Sequence, residues 1–261
     1  MNSFNLFFRK EIVELVKTVK GVVLTIVFLF LAISAPLITK LTPEILKAAG
    51  GSASQDEMNV LTSIIPTPTS VESYKQFVSN FSTIGLLAII IVFAGIVANE
   101  KAKNTAAYIL TKNISRTQFI FSKFASAVVF ILVSLIISAG VLKLYTDLLF
   151  DDNLVDFKYF IIFFAFLFLY IFFILTIVLF SSIISKNVTS ATFIAFLIFI
   201  AFSILPSIPK IGKYTPAKLN DLGIMLQSTK VSDLTINIIV TVLCSVAFIL
   251  IGIKLFNRQE L

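Results

Sequence analysis

YFIIFFAFLFLYIFFILTIVLFSSII, Tyr159 to Ile184, runs for 26 residues without a charge. At about 1.5 Å per residue it would make roughly 39 Å of helix, more than the ~30 Å of hydrocarbon in a bilayer, with length left to tilt or to project beyond it. The rest of the chain agrees. Of 261 residues, 58% are hydrophobic, 28 are Phe and only 13% are charged, and the mean hydropathy is +1.01. No water-soluble core of that size requires so much apolar surface, so the sequence reads as an integral membrane protein.

Five further segments are apolar enough to cross: Gly21 to Ile38, Ile84 to Ala98 (starting nearer Phe77), Phe124 to Leu142, Val188 to Leu205 and Leu234 to Ile253. None of the six holds Asp, Glu, Lys or Arg in its interior, and the chain has no His. The first run lacks a small-residue cleavage site and reads as a retained span, not a signal peptide. Cys244 is the single cysteine, so no disulfide framework exists within the chain, and it reads as a small buried hydrophobe.

Orientation follows from the basic residues. With both termini cytoplasmic, the inner segments hold twelve of the 21 Lys and Arg, crowded at the membrane ends, whereas the outer ones are spread over longer loops. Ten of the fourteen acidic residues then lie outside. Lys210, Lys213 and Lys218 in the last outer loop run against this pattern.

The N-terminal NLFFRKEIVELVKTVKG has Phe8, Ile12, Leu15 and Val19 at helical spacing, with Lys10, Glu14 and Lys17 on another face. It is expected to be an amphipathic helix in the cytoplasmic interface, serving either as an anchor or as an elbow that transmits motion. TPEILKAAGG reads as a short helix from Thr42 and Pro43 to Gly50 and Gly51, and Thr69 or Ser70 can cap another. PSIPKIGKYTPAKLNDLGIML, broken by Pro206, Pro209 and Pro216, reads as a re-entrant or half-buried outer loop. Tyr145 and Tyr159 suit an interfacial belt in a chain without Trp.

ANEKAKNTAAYILTKNISRTQFIFSKF, Ala98 to Phe124, is the most polar and basic block of the chain. Helix formers surround Lys101, Lys103 and Lys112 from Glu100 onward, Asn113 offers a left-handed stop, and Ser115 can cap a helix that runs into the third span. The second span thus runs on into the cytosol, turns and returns. Such a loop can satisfy topology or bind anionic lipid, and it can also be read by a soluble partner.

At these residues the sequence resembles the ABC-2 type permeases of ATP-binding cassette exporters. The resemblance is carried by FFRKEIVELVKT before the first span, SAPLITKLTPEIL at its outer end, NEKAKNTAAYILTKNISRTQFIFSK after the second, YTPAKLNDL in the last outer loop and KLFNRQEL. The family's acidic-basic pair and downstream Thr are matched by Glu100, Lys101 and Thr105, and its small residue followed by Arg by Ser115 and Arg116. Its Gly before that Thr is replaced by Asn104.

The resemblance implies an all-α membrane protein with an ABC-2 exporter-type fold: six transmembrane helices after an elbow helix. The elbow is residues 1–20 and the permease domain 21–261, with an inner coupling loop at 99–123 and outer loops at 39–83, 143–158 and 206–233. It further implies that the inner loop lodges in a separate cytoplasmic ATPase through Glu100, Lys101, Lys103, Thr105, Ser115 and Arg116. Lys186, in the short inner loop between spans four and five, would make a second contact. Six spans are half the family's usual complement, so a second permease copy, identical or related, is implied. The setting is the bacterial cytoplasmic membrane, with membrane lipids around the chain and no nucleic acid. The chain has no GxxxxGK[ST] and no cytoplasmic segment long enough for a nucleotide-binding domain, so ATP and Mg are assigned to the partner and no cofactor to this chain.

Uncharged spans argue against an ion-driven carrier, which keeps ionisable groups at depth, and zero His with no buried acid argues against an intramembrane hydrolase. A non-transporting immunity or accessory protein and an ion-exporting permease stay open as alternatives. Walls of Phe160, Phe164, Phe168, Phe172 and Thr176, with the hydroxyls of Ser134, Ser138, Ser181 and Ser182, suit a hydrophobic or amphipathic cargo moved outward, such as a peptide, an antibiotic or a lipid-like molecule.

Overall fold

A computed structural model describes residues 3–49, 68–111, 114–152, 154–208, 210–225 and 230–259. Among them the regular structure is helical: α1 (Ser3–Lys17), α2 (Val19–Ala49), α3 (Ser70–Asn80), α4 (Leu86–Phe93), α5 (Gly95–Ala102), α6 (Thr105–Leu110), α7 (Arg116–Leu149), α8 (Phe157–Ile184), α9 (Val188–Ile204) and α10 (Thr235–Asn257), with short 3-10 turns before α10. Six stretches are long and apolar enough to cross a membrane: Val19–Ile45, Ser70–Ala102, Arg116–Leu149, Phe157–Ile184, Val188–Ser207 and Val231–Asn257. The six expected spans are all present, and each is longer than its apolar run.

α8 is the axle of the bundle. It packs against α10, α9, α5, α4 and α7, and it is the most buried span, whereas the fifth span is the least buried. Phe163, Ile171, Phe173 and Ile177 on α8 are fully enclosed. In lipid no hydrophobic effect drives helices together, so close packing has to hold the bundle. Rings supply much of it: Phe173 meets Phe202 of α9 edge to face at 5.0 Å between centroids, and Phe28 of α2 meets Phe81 in the same way, also at 5.0 Å. Cys244 is half-buried against this core.

The first and second spans depart from expectation at the ends that were expected to face outward. The short helix expected from Thr42 is not separate: α2 continues through Pro36 and Pro43 to Ala49, and Gly50 and Gly51 lie outside the described residues. A break would expose several backbone groups, whereas each proline removes one N–H, so continuity is the cheaper solution in an apolar medium. Thr39 and Thr42 donate their hydroxyls back to the carbonyls of Ala35 and Ile38. The second span begins at Ser70 rather than near Phe77, because the helix expected to be capped at Thr69 or Ser70 is continuous with it. Thr69 caps it by accepting from the Glu72 N–H, and a π-helical turn, Phe81–Gly85, joins α3 to α4. The Asp152 carboxylate also accepts from the Ser70 N–H at 3.0 and 3.2 Å, which ties this start to the loop after α7.

α1 is helical, but its packed stripe is offset from the expected one. Phe7 and Glu11 are buried against α7, Phe8, Ile12 and Leu15 are half-buried beside them, and Val19 is 76% exposed. A polar attachment at Glu11 sets the helix phase. The chain bends at Thr18, and Gly21 lies where a Cβ would fall 2.0 Å from the Leu15 carbonyl oxygen, so only glycine permits this tight entry into α2.

The loop between the fifth and sixth spans is folded down onto the bundle, as its proline-broken composition suggests. Thr215, Pro216, Leu219, Ile224 and Met225 are buried, and the Asn237 amide of α10 donates to the Lys213 and Thr215 carbonyls at 2.9 and 3.0 Å.

Candidate functional site at the hairpin end of the bundle

The basic block folds as a helical hairpin. α5 ends at Ala102, Lys103 and Asn104 make the turn, and the six-residue α6 follows. Asn104 has φ 55 and ψ 15, the left-handed conformation, and no other non-glycine residue among those described has a positive φ. Asn is among the few L-residues that tolerate it, which explains how it replaces glycine here. The expected stop at Asn113 lies outside the described residues; the left-handed residue observed is nine positions earlier. Ser115 then starts α7 with a full capping box: its hydroxyl accepts from the Gln118 N–H at 3.2 Å, and the Gln118 side chain accepts from the Ser115 N–H at 3.1 Å.

Sequence reasoning missed the feature that anchors this hairpin. Lys123, about two turns into α7, is only 4% exposed and forms ion pairs with Glu11 of α1 at 2.8 Å and Glu100 of α5 at 2.7 Å. Its ammonium also lies over the rings of Phe119 and Phe7, 5.5 and 5.8 Å from their centroids. Phe7, Phe119 and Phe256 stack at 5.7 and 5.9 Å, so one aromatic column joins α1, α7 and α10 beneath the charge cluster. Two carboxylates share one buried cation, and Glu100 Oε2 is left without a hydrogen-bond partner. Lys10 adds a half-exposed ammonium 3.3 Å from Glu11 and 3.2 Å from Glu14. Burial lowers the Lys10 pKa, but the two carboxylates outweigh it and leave the ammonium above its ordinary value. Glu11, Glu100 and Lys123 are adjacent only once the helices pack, and the one available signal was Glu11 and Lys123 at the polar rims of apolar segments.

The other expected docking residues are placed as follows. Lys101 turns inward, donating to the Ile183 carbonyl at 2.6 Å and the Gln259 side-chain oxygen at 2.9 Å. Arg116 Nη1 lies 3.0, 3.1 and 2.7 Å from the carbonyl oxygens of Phe256, Asn257 and Gln259, capping the end of α10. Lys101 and Arg116 therefore clasp the ends of α8 and α10. Lys103 and Thr105 are exposed on the hairpin, with the Thr105 hydroxyl donating to the Glu100 carbonyl at 3.2 Å. Lys186 is exposed in the turn after α8, directly after the buried Ser185. A cavity of about 480 Å3 opens between α1 and the hairpin, with Glu14, Lys20, Asn99, Lys103 and Tyr108 on its walls.

The expected cargo-pathway residues sit in the bundle interior. Phe160 and Phe164 pack on each other at 4.7 Å and on Tyr74 and Phe77 of α3, Phe172 meets Phe124 at 5.3 Å, and Phe168 is partly buried against the same core. Thr176 is buried and donates to the Phe173 carbonyl. Ser182 accepts from the Val97 and Ala98 N–H groups at 3.0 and 2.9 Å, satisfying donors freed at the start of α5.

A family model described as ABC-2 family transporter protein matches residues 19–254. The chain belongs to the ABC-2 transporter family. That match takes in the whole hairpin and all six spans except the last three residues of the sixth. The chain is also similar, at 26% identity over 255 residues, to the uncharacterized transmembrane protein YxlG of Bacillus subtilis (strain 168), covering 97% of this chain and 96% of that one. With six apolar helices, this ABC-2 protein is a multi-pass membrane protein of permease type. The family makes it a transport subunit rather than an enzyme, and implies an ATPase partner and lipid surroundings.

Proposed function

We propose that the chain is the permease subunit of an ABC exporter, driven by ATP hydrolysis in a separate cytoplasmic subunit and paired with a second permease copy. The observation that carries this reading is the hairpin Lys103–Thr111: an exposed, short, left-handed turn and helix fixed at both roots, by Glu100 with Lys123 on one side and Arg116 on the other. A rigid lever that ends in an exposed tip is what a soluble motor requires in order to push on three spans at once. With the hairpin facing the motor, α1 and the end of α10, which pack beside it, lie on the cytoplasmic side as well. Small residues of the second span serve contacts within the chain: Ala94 and Ala98 cluster with Ala191, and a Cβ on Gly95 would meet Val188 at 3.2 Å. The pair of copies therefore uses other faces, and the little-buried fifth and sixth spans offer the most surface.

The cargo is hydrophobic or amphipathic and moves outward. The ring-packed interior of α8 holds no charged group at depth that could replace an ion's hydration shell. With Phe160, Phe164 and Thr176 packed inside each copy, cargo passes between copies or between the spans as they part. The test is ATP hydrolysis by permease and motor reconstituted together, across amphipathic peptides, apolar drugs and alkali cations. Stimulation by peptides or drugs is expected. Stimulation by sodium or potassium alone would reassign the cargo to ions, and an assembly whose mass accounts for one permease chain would remove the pair.

A further inference from the structure

At the opposite end of the bundle the segment after α9 has chemistry that neither the family nor the transport reading uses. Between Ile208 and Tyr214 the chain closes into tight turns: the Ile211 and Gly212 N–H groups donate to the Ile208 carbonyl at 3.1 and 2.7 Å, and the Tyr214 N–H to the Ile211 carbonyl at 2.9 Å. Gly212 is buried where a Cβ would fall 2.3 Å from the Pro206 carbonyl oxygen, so the loop is pinned against the end of the fifth span. The described side chains of this loop other than Gly212 are accordingly left at the surface. Ile208, Ile211 and Tyr214, three residues apart, are 41%, 48% and 48% exposed. Lys210 and Lys213 alternate with them, are exposed, and have no carboxylate partner among the described residues. Of the other lysines toward this end, Lys75, Lys143 and Lys218 pair with Glu72, Asp147 and Asp221, whereas Lys40 donates to the Leu149 carbonyl and Lys158 lies over the Tyr159 ring. Behind the loop a cavity of about 430 Å3, with Lys213, Lys218 and Asn220 on its wall, stands open beside the same turns.

We infer that Ile208–Tyr214 is an interfacial anchor that selects anionic phospholipid. Ile208, Ile211 and Tyr214 enter the boundary of the acyl chains, and Lys210 and Lys213 lift their ammonium groups to the lipid phosphates. A rigid loop with alternating apolar and basic side chains, placed within a few residues of a span's end, meets headgroups before anything else can reach it. A second protein copy fits the patch less well, since the centres of protein interfaces are depleted in lysine. The selection also gives the basic outer loop a reason to exist against the positive-inside trend. The inference does not depend on transport or on which leaflet the loop faces.

A bimane label on Ile211→Cys, in a Cys244→Ser background, reports the lipid at the loop. The chain is reconstituted into vesicles of equimolar phosphatidylcholine and phosphatidylglycerol, with one or the other lipid brominated as quencher. Quenching by brominated phosphatidylglycerol should exceed that by brominated phosphatidylcholine. Attraction of about fivefold per lysine near the surface sets the scale of the excess. Lys210→Gln with Lys213→Gln should abolish the excess, Lys210→Arg with Lys213→Arg should keep it, and high salt should weaken it. Equal quenching by the two lipids overturns the selection. No quenching by either overturns the anchor and assigns the patch to a protein surface.

Discussion

Asn104 turns the inner hairpin with a backbone conformation that costs most L-residues roughly 1–2 kcal/mol and glycine nothing. Asn104→Gly should therefore leave thermal stability in detergent almost unchanged, whereas Asn104→Val should lower the melting temperature; equal melting of both variants would mean that the turn is not held in this form. The departure from the family pattern at this position was plain in the sequence, and the conformation that reconciles it was not, because backbone dihedral angles are set by the packing on both sides. Lys123 poses a sharper test. It is nearly buried between Glu11 and Glu100, and removing one member of a buried ionic cluster typically costs about 3–5 kcal/mol, since the partners stay desolvated and unpaired. Lys123→Met should destabilise by that order, and adding Glu11→Gln and Glu100→Gln should recover most of the loss, as followed by unfolding in detergent. A triple variant no better than Lys123→Met would show that the cluster contributes through packing rather than charge.

Helix ends, rather than helix middles, are where the elements are coupled. Arg116 opens α7 and closes α10 through three carbonyl oxygens, while Lys101 closes α8 and holds Gln259. Arg116→Ala should fray the end of α10 and raise the rate of carboxypeptidase digestion toward Asn257 by about tenfold, the equivalent of ~1.4 kcal/mol in the open population, with the spans intact. An unchanged digestion rate would remove the clasp from the account. The six spans were legible because uncharged runs such as Tyr159 to Ile184 admit one reading. Ser115 was legible as a cap because its partner Gln118 is local. The Thr69 cap was legible in the same way, but the continuity of α2 through Pro36 and Pro43 and of the Ser70 helix with the second span was hidden, because each is stabilised by contacts distant in sequence, such as Lys40 on the Leu149 carbonyl and Asp152 on the Ser70 N–H. For the same reason Lys101 and Arg116 looked like surface charges: their acceptors are carbonyls more than 80 residues away.

For the whole molecule these ties describe one mechanical unit at the hairpin end of the bundle. α1, the hairpin, the start of α7 and the end of α10 meet through the Glu11, Lys123 and Glu100 cluster and the column Phe7, Phe119 and Phe256, so a force on the hairpin is felt by the elbow and by three spans together. Because Lys101 and Arg116 brace that unit, charge reversal at either would disturb the fold and the docking surface at once. Lys103 stands on the exposed turn without an ion pair among the described residues, and Thr105 is exposed beside it, so these two positions separate docking from stability. The most direct measurement is ATP hydrolysis that copurifies with the affinity-tagged chain from its own membranes, compared between wild type and Lys103→Glu with Thr105→Glu at matched membrane levels. The account predicts that wild type carries a cytoplasmic ATPase with it and that the double variant, folded and inserted, loses most of that activity. An ATPase retained at wild-type yield by the double variant, or none copurifying with wild type, would contradict it.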